Sequence, residues 1–226
     1  MRLVRTAVII LPVALALGCA AHQKQGDATA VLPKTPRASP FVGPTLVPLP
    51  GPRLTPPEGL PYALRRTFRT PPRIAGDLDV AIRQQWKYIV IHHSATDEGS
   101  ANTFDRFHRE RGWRGVGYDF VIGNGNGSAD GLVEVTFRWE EQVAGAHAGD
   151  KEYNEYGIGI CLVGDFDNEY PTPRQMQALV ALVNGLQERC RIPTSNVLMH
   201  RQVRPGGTHC PGRYFPFYEF VSLLDH

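Results

Sequence analysis

The sequence has little net charge, few cysteines and no apolar run long enough to cross a membrane comfortably. Its 24 lysines and arginines against 22 aspartates and glutamates leave a formal charge of +2, and no nucleic acid is expected as a partner. The apolar run Ala7–Leu17 is shorter than the about 20 residues that a transmembrane helix needs. With 42% hydrophobic and 20% charged residues, the composition is that of an ordinary globular protein with one core.

The first 18 residues have the layout of a signal peptide. Arginines precede the apolar run, and small residues precede Cys19. Residues 15–19, LALGC, resemble the lipobox of bacterial lipoproteins, in which Cys19 would become a lipid-bearing N-terminus; an ordinary secretory signal is the alternative. The resemblance implies a membrane anchor at Cys19 and a place in the cell envelope. Because Ala20 is not aspartate, it further implies the outer membrane, facing the periplasm, in a Gram-negative cell.

Residues 19–75 are predicted to be a disordered tether. Twelve of the 19 prolines lie between residues 20 and 75, and the apolar residues there follow neither helical nor strand periodicity. Eight basic and two acidic residues give this segment a charge of +6, whereas residues 76–226 carry −6. A solvated linker is the favoured interpretation, and contact with anionic lipid or wall polymer is the alternative.

A folded domain is predicted over residues 76–226, with its clear signals starting near Trp86. The apolar run Tyr88–Ile91 predicts a buried strand that ends at His92 and His93. A helix, a strand with a glycine-rich turn, its hairpin partner and another buried strand are predicted to follow, at residues 102–111, 117–127, 132–137 and 157–164.

A long second helix is predicted from Pro173 to about Cys190. Thr172 supplies the N-cap, Pro173 suits the first turn, and Gln175 completes a capping box. A short aromatic helix is expected at the C-terminus. This order of elements predicts an α/β fold, a central mixed β-sheet flanked by helices.

A candidate metal site is formed by His92, His200 and Cys210. Catalytic zinc commonly takes three such ligands and keeps a fourth position open for water. Neighbours in a strand point to opposite faces, so only one of His92 and His93 can face a shared metal. Two other interpretations stay open, namely a thiol nucleophile at Cys210 and a structural zinc site closed by His93 or His147.

The chain from about Trp86 onward resembles the zinc-dependent N-acetylmuramoyl-L-alanine amidases shared by phage lysozymes and animal peptidoglycan recognition proteins. The stretches that carry the resemblance are IVIHHSAT, GWRGVGYDFVIG, VAGAHAGDKEYNEYGIGICLVGDF and LMHRQVRPGGTHCPG. The resemblance implies a single amidase domain with a mixed sheet and one zinc ion per chain. It also implies that peptidoglycan, both glycan strand and stem peptide, is the partner of a monomeric enzyme.

Position by position, the resemblance implies a role for each of nine residues. His92, His200 and Cys210 would be the zinc ligands, and Tyr118 and Thr208 the catalytic residues. Contacts to substrate are implied for His93, Trp113, His147 and Asn154. Trp113 belongs to a GW pair that, in recognition proteins, accompanies stems containing meso-diaminopimelate.

The implied reaction is hydrolysis of the amide between N-acetylmuramic acid and L-alanine by a zinc-activated water. Related cytosolic amidases have glutamate at the place of Cys161 and aspartate at that of Cys210, so the most obvious carboxylate base is missing here. Asp119 also departs from the histidine or asparagine usual after the tyrosine. A binding module without activity and a cysteine-dependent wall hydrolase remain as alternatives.

One covalent feature is predicted to be absent. Cys161 and Cys190 are expected to stay unpaired, because the strand and the antiparallel helix that carry them place the two residues at different distances from their connecting turn. A disulfide needs α-carbons within about 7 Å.

Overall fold

The computed structural model describes residues 72–225. Six strands are present in this part of the chain: β1 Arg73–Ala75, β2 Tyr88–His93, β3 Phe120–Ile122, β4 Leu132–Val135, β5 Gly157–Leu162 and β6 Val197–Met199. Six α-helices accompany them: α1 Ala101–Glu110, α2 Phe137–Glu141, α3 Lys151–Glu155, α4 Pro173–Cys190, α5 His200–Val203 and α6 Phe217–Val221. A 3-10 turn at Thr194–Asn196 precedes β6.

The strands form one mixed sheet in the order β1-β4-β3-β5-β2-β6. The β3–β4 hairpin is antiparallel and the other neighbouring pairs are parallel. The predicted fold class, a mixed sheet flanked by helices in a single domain, is therefore confirmed. Because β2, β5 and β6 run in parallel, their carboxyl ends lie at the same edge of the sheet, which is where α/β folds place their ligand sites.

The two faces of the sheet have different neighbours. Ile89 and Ile91 of β2 belong to the main core, which also contains Met176, Leu179 and Val183 of α4. Val90 and Cys161 lie in two smaller clusters on the opposite face. His92 alternates with Ile91 and pairs with Cys161 in register, so its side chain lies on the face opposite α4.

Helix α4 has the predicted start. The Thr172 side chain accepts the Gln175 N–H, and the Gln175 side chain accepts the Thr172 N–H, which together form the capping box. The helix ends at Cys190, and Arg191 follows with a positive φ. Cys161 and Cys190 are both free thiols, as predicted.

Several short elements differ from the prediction. Strand β1 lies within residues 19–75 and pairs with β4, so the sheet begins three residues before the predicted boundary at residue 76. Phe137, predicted as the end of a strand, starts α2 because Thr136 caps that helix. Strand β6 and helix α5 are two further elements that were not predicted from the sequence. In α1, Phe104 and His108 are buried, whereas Phe107 is 41% exposed.

The signal peptide, Cys19 and the rest of the predicted tether lie outside the described residues. Between residues 72 and 225, no helix combines the length and apolar character needed to span a membrane.

Candidate metal centre

His92 and His200 lie at the carboxyl ends of adjacent parallel strands. His92 is near the end of β2, and His200 follows directly after β6. Because Ile91 pairs with Met199, the two histidines come next to each other at the sheet edge. Their ring centroids are 4.3 Å apart. Parallel pairing of two strands distant in sequence thus produces the first half of the site.

Cys210 completes the cluster from the loop after α5. The Arg201 N–H donates to the Cys210 carbonyl at 2.9 Å, which closes the loop back onto α5. The Cys210 thiol sulfur accepts the His93 backbone N–H at 3.3 Å. One ligand atom from each of His92, His200 and Cys210 lies within 4.8 Å of the others, and all three residues are buried.

The spacing of the His92 and Cys210 donors suits a tetrahedral metal. The His92 Nδ1 lies 3.8 Å from the Cys210 Sγ. Zinc bonds of about 2.0–2.1 Å to nitrogen and about 2.3 Å to sulfur would separate two ligands by about 3.6 Å at a tetrahedral angle. Two imidazoles and a thiolate are also a donor set typical of zinc. The cluster is therefore a His-His-Cys site able to hold a metal ion.

Hydrogen bonds leave the Nδ1 atoms of both histidines for the metal. The His200 Nε2 lies 3.3 Å from the Ala148 carbonyl oxygen, which can only accept, so Nε2 carries the proton. The His92 Nε2 contacts the His147 Nδ1 at 3.1 Å. The opposite nitrogen of His92, Nδ1, lies 3.8 Å from the Cys210 Sγ, and the Nδ1 of His200 is the nitrogen left free to ligate.

Burial keeps the cluster uncharged before a metal binds. It lowers the pKa of His92 well below its ordinary value and lowers the pKa of His200 to about 4. It raises the pKa of the Cys210 thiol to about 12. Neutral histidines are the ligand form, whereas the thiol must lose its proton to the solvent when it ligates, so metal binding releases a proton.

Tyr118 borders the cluster on the side of α1. Its ring centroid is 5.3 Å from that of His92. Burial raises the pKa of the Tyr118 hydroxyl well above 10, which keeps the hydroxyl protonated and available as a donor. Tyr118 therefore lies beside His92, one of the three potential ligands, and its catalytic role stays a prediction.

Tyr118, His108 and Trp113 form a row of aromatic rings beside the cluster, which we call the aromatic wall. His108 was not identified from the sequence as part of the site. Its ring lies 5.8 Å from Tyr118 and 4.6 Å from Trp113, between centroids. The His108 Nδ1 accepts the Gly117 N–H at 2.9 Å, which orders the segment before Tyr118. Trp113 is 42% exposed at the outer end of this wall. The sequence signal that could have identified His108 is a histidine at a buried position of α1.

The side chains of Thr208 and Asn154 accept hydrogen bonds from backbone N–H groups near the cluster. The Thr208 Oγ1 accepts the Cys210 N–H at 3.2 Å, so Thr208 lies in the turn that presents the thiol. The Asn154 Oδ1 accepts the N–H groups of His147 and Ala148, both at 2.8 Å. Thr208 therefore holds the backbone of a potential ligand, whereas Asn154 holds the loop that contacts His92 and His200.

His93 does not line the cluster, and its implied substrate contact stays a prediction. Its ring packs against Phe166, and its Nδ1 accepts the Phe166 N–H at 3.1 Å. The cause is strand alternation, since His92 and His93 project to opposite faces of β2. His93 therefore cannot be the fourth ligand of a metal bound by His92.

The sequence matches the profile of the N-acetylmuramoyl-L-alanine amidase family over residues 82–213. The chain belongs to this family. The amidase match spans every residue of the cluster and the sheet strands β2–β6.

Individual relatives include phage and animal proteins. The chain is 36% identical over 157 residues to an endolysin of Klebsiella phage KP32, covering 64% of this chain and 94% of the endolysin. It is 35% identical over 136 residues to peptidoglycan-recognition protein LB of Drosophila melanogaster, covering 55% of this chain and 54% of that protein. The chain thus spans only about half the length of this second relative.

A solved amidase structure shares the fold. The endolysin N-acetylmuramoyl-L-alanine amidase LysCS of Clostridium intestinale superposes with a TM-score of 0.56 at 32% identity, covering 68% of this chain and 95% of that one. Amidase relatives at the family level support peptidoglycan as the target, whether the target is cleaved or only bound.

One buried acid of this amidase domain is only half satisfied. Asp119 follows Tyr118 and is fully buried. Its Oδ2 accepts the Gly159 N–H at 2.8 Å, whereas its Oδ1 has no partner among the described residues. Burial raises the pKa of Asp119 to about 7, although the hydrogen bond from Gly159 and the charge of Arg138 oppose the shift. The folded state therefore disfavours the ionised carboxylate.

Asp119→Asn is expected to remove a loss of stability that accompanies rising pH. The unfolded carboxyl releases its proton near pH 4 and the folded one near pH 7, so the unfolded state binds fewer protons between these values and folding weakens. From pH 5 to pH 8 the wild type should lose about 2–3 kcal/mol relative to Asp119→Asn. Urea unfolding of both proteins at the two pH values measures this difference. A difference in stability that does not change with pH would show that Asp119 is ionised throughout.

Proposed function

We propose that the protein is a peptidoglycan hydrolase that cleaves the amide between the lactyl group of N-acetylmuramic acid and L-alanine of the stem peptide. The proposal includes one zinc ion per chain, held by His92, His200 and Cys210. The observation that carries it is the three-donor cluster beside Tyr118 in a member of the amidase family.

The protein residues would have different roles around the metal. When bound, zinc supplies Lewis acidity, which polarises a carbonyl and lowers the pKa of a water molecule toward about 7. His92 and His200 contribute neutral nitrogens and Cys210 a negative thiolate, so the protein lowers the charge of the site to +1. Three protein ligands leave room in the coordination sphere, as in catalytic rather than structural zinc sites.

Tyr118 stabilises the charge that develops on the carbonyl oxygen. Its hydroxyl stays protonated because burial raises its pKa, and it lies on the border of the ligand cluster. A donor already in position at a developing oxyanion is worth about 3–4 kcal/mol in comparable sites. Thr208, through its bond to the Cys210 N–H, keeps the turn in place and orients the water or the leaving amine.

Three features disfavour the alternatives. A closed structural zinc site lacks its fourth ligand, since His93 points away and the His147 Nδ1 contacts the far nitrogen of His92. A thiol hydrolase needs an ionised cysteine, but burial raises the pKa of Cys210 to about 12. A binding module that has lost activity commonly lacks a ligand, whereas this chain keeps all three.

The cleaved bond identifies the reaction. Digestion of purified sacculi should release stem peptides with a free N-terminal L-alanine and glycan strands with intact reducing ends. Mass spectrometry of the soluble products measures both, with heat-treated protein as the control. New reducing sugars without free L-alanine would indicate a glycosidase, and bound but uncut sacculi would indicate a binding module.

We further propose that Cys19 carries a lipid anchor in the cell envelope, in the outer membrane facing the periplasm of a Gram-negative cell. Support comes from the sequence LALGC at residues 15–19. Labelled fatty acid should enter the wild-type chain and not a Cys19→Ser chain. Equal labelling of both chains would show that Cys19 does not carry the lipid.

A further inference from the structure

His147 forms a hydrogen-bonded relay with the first potential ligand. Its Nδ1 lies 3.1 Å from the His92 Nε2, and its Nε2 lies 3.2 Å from the Gly157 carbonyl oxygen. The two rings meet edge to face with centroids 5.0 Å apart. His147 is 6% exposed, so both of its polar atoms are engaged inside the protein.

The carbonyl at the end of the relay decides the position of each proton. A carbonyl oxygen only accepts, so the His147 Nε2 must donate to Gly157. The neutral His147 then has a bare Nδ1, which accepts from the His92 Nε2–H. With its proton on Nε2, His92 presents the Nδ1 lone pair to the side of Cys210, 3.8 Å away.

We propose that His147 is a positioning residue that fixes the tautomer and ring orientation of His92 for metal binding, rather than a contact to the glycan or stem peptide. The proposal rests on the proposed zinc function. Partners of this kind, which hold a ligand through its second nitrogen, commonly change metal affinity 10- to 100-fold when they are lost.

The surrounding backbone is built around the His147 ring. A Cβ added at Gly159 would lie 2.5 Å from the ring, and one added at Gly145 would lie 2.4 Å from it. The Asn154 side chain accepts the His147 N–H at 2.8 Å. Close packing on two sides and a fixed backbone hold the imidazole in one orientation, as a positioning role requires.

His200 is held in the same way, but its partner is a backbone carbonyl instead of a side chain. Its Nε2 donates directly to the Ala148 carbonyl, the residue next to His147 in the chain. One loop therefore orients both histidine ligands, through a backbone carbonyl for His200 and through a side chain for His92. Of these two supports, only that of His92 can be removed by substitution.

Two substitutions at His147 separate its two hydrogen bonds. In His147→Asn the amide oxygen takes the place of Nδ1 and can still accept from His92. In His147→Gln the amide group reaches the place of Nε2 and can still donate to Gly157, but no acceptor remains for His92. The dissociation constant of zinc is measured on the full chain by competition with a chromogenic chelator. Unfolding temperatures of the metal-free proteins report the cost in packing.

The expected result is a zinc dissociation constant 10- to 100-fold larger for His147→Gln and within about threefold of the wild type for His147→Asn. Equal affinities in all three proteins, or an equal loss in both variants, would overturn the positioning role. If the wild-type chain itself binds no zinc, the proposed function fails. If the wild type binds zinc and His147→Gln binds it equally well, only this inference fails.

Discussion

Cys210→Ser is expected to abolish zinc binding and hydrolysis while binding of peptidoglycan persists. A serine hydroxyl is smaller and harder than a thiol and stays protonated, so it cannot replace the thiolate that anchors zinc and lowers its charge. His92 and His200 alone provide two neutral nitrogens. Trp113 at the outer end of the aromatic wall does not depend on Cys210, so substrate contacts outside the cluster should remain.

Zinc content, hydrolysis and pull-down on sacculi measure the three parts of this prediction. Cys190→Ser is the matched control, because Cys190 is a free thiol at the end of α4, packed against the main core. The control should keep both metal and activity. Normal zinc content and undiminished hydrolysis in Cys210→Ser would contradict the assignment of the ligands.

Tyr118→Phe is expected to keep zinc and to slow hydrolysis about 100-fold or more. The substitution removes only the hydroxyl, so the ring should keep its packing beside His92 and Phe104. The lost donor to the developing oxyanion accounts for the slower rate, as measured for comparable donors. Single-turnover rates on a soluble muropeptide measure the chemical step.

Tyr170→Phe provides the matched control for the loss of a hydroxyl. Tyr170 packs against Tyr214 with tilted rings whose centroids are 5.2 Å apart, and it is not part of the ligand cluster. Its variant should cleave at the wild-type rate. Full activity in Tyr118→Phe would remove that hydroxyl from the mechanism, and loss of zinc would show that the ring supports the ligands instead.

Elements with strong local signals were predictable from the sequence. The capping box of α4 and the apolar run of β2 each contain their own start and periodicity, and both are confirmed. Strands β1 and β6 have three residues each, which is too short for a periodic pattern. They exist because β4 and β2 offer open edges, a tertiary cause that sequence patterns do not contain.

The candidate site, like the fold, was predictable only in part. His92, His200 and Cys210 were predicted as one set, and the structure brings them together. Strand alternation alone left open which of His92 and His93 faces the metal; the resemblance favoured His92, and the register of β2 against β5 places it on the face of Cys161. The neighbours of His147 and His108 depend on loops that pack across the sheet, so their hydrogen bonds could not be read from spacing.

We propose above that one zinc ion at this cluster makes the protein an amidase. Titration of the metal-free full chain with zinc, with release of free L-alanine from muropeptide recorded at each addition, tests it most directly. We expect no hydrolysis without metal and a linear rise in hydrolysis that ends at one zinc per chain. Full hydrolysis by the metal-free protein, or no hydrolysis after one equivalent of zinc is bound, would contradict it.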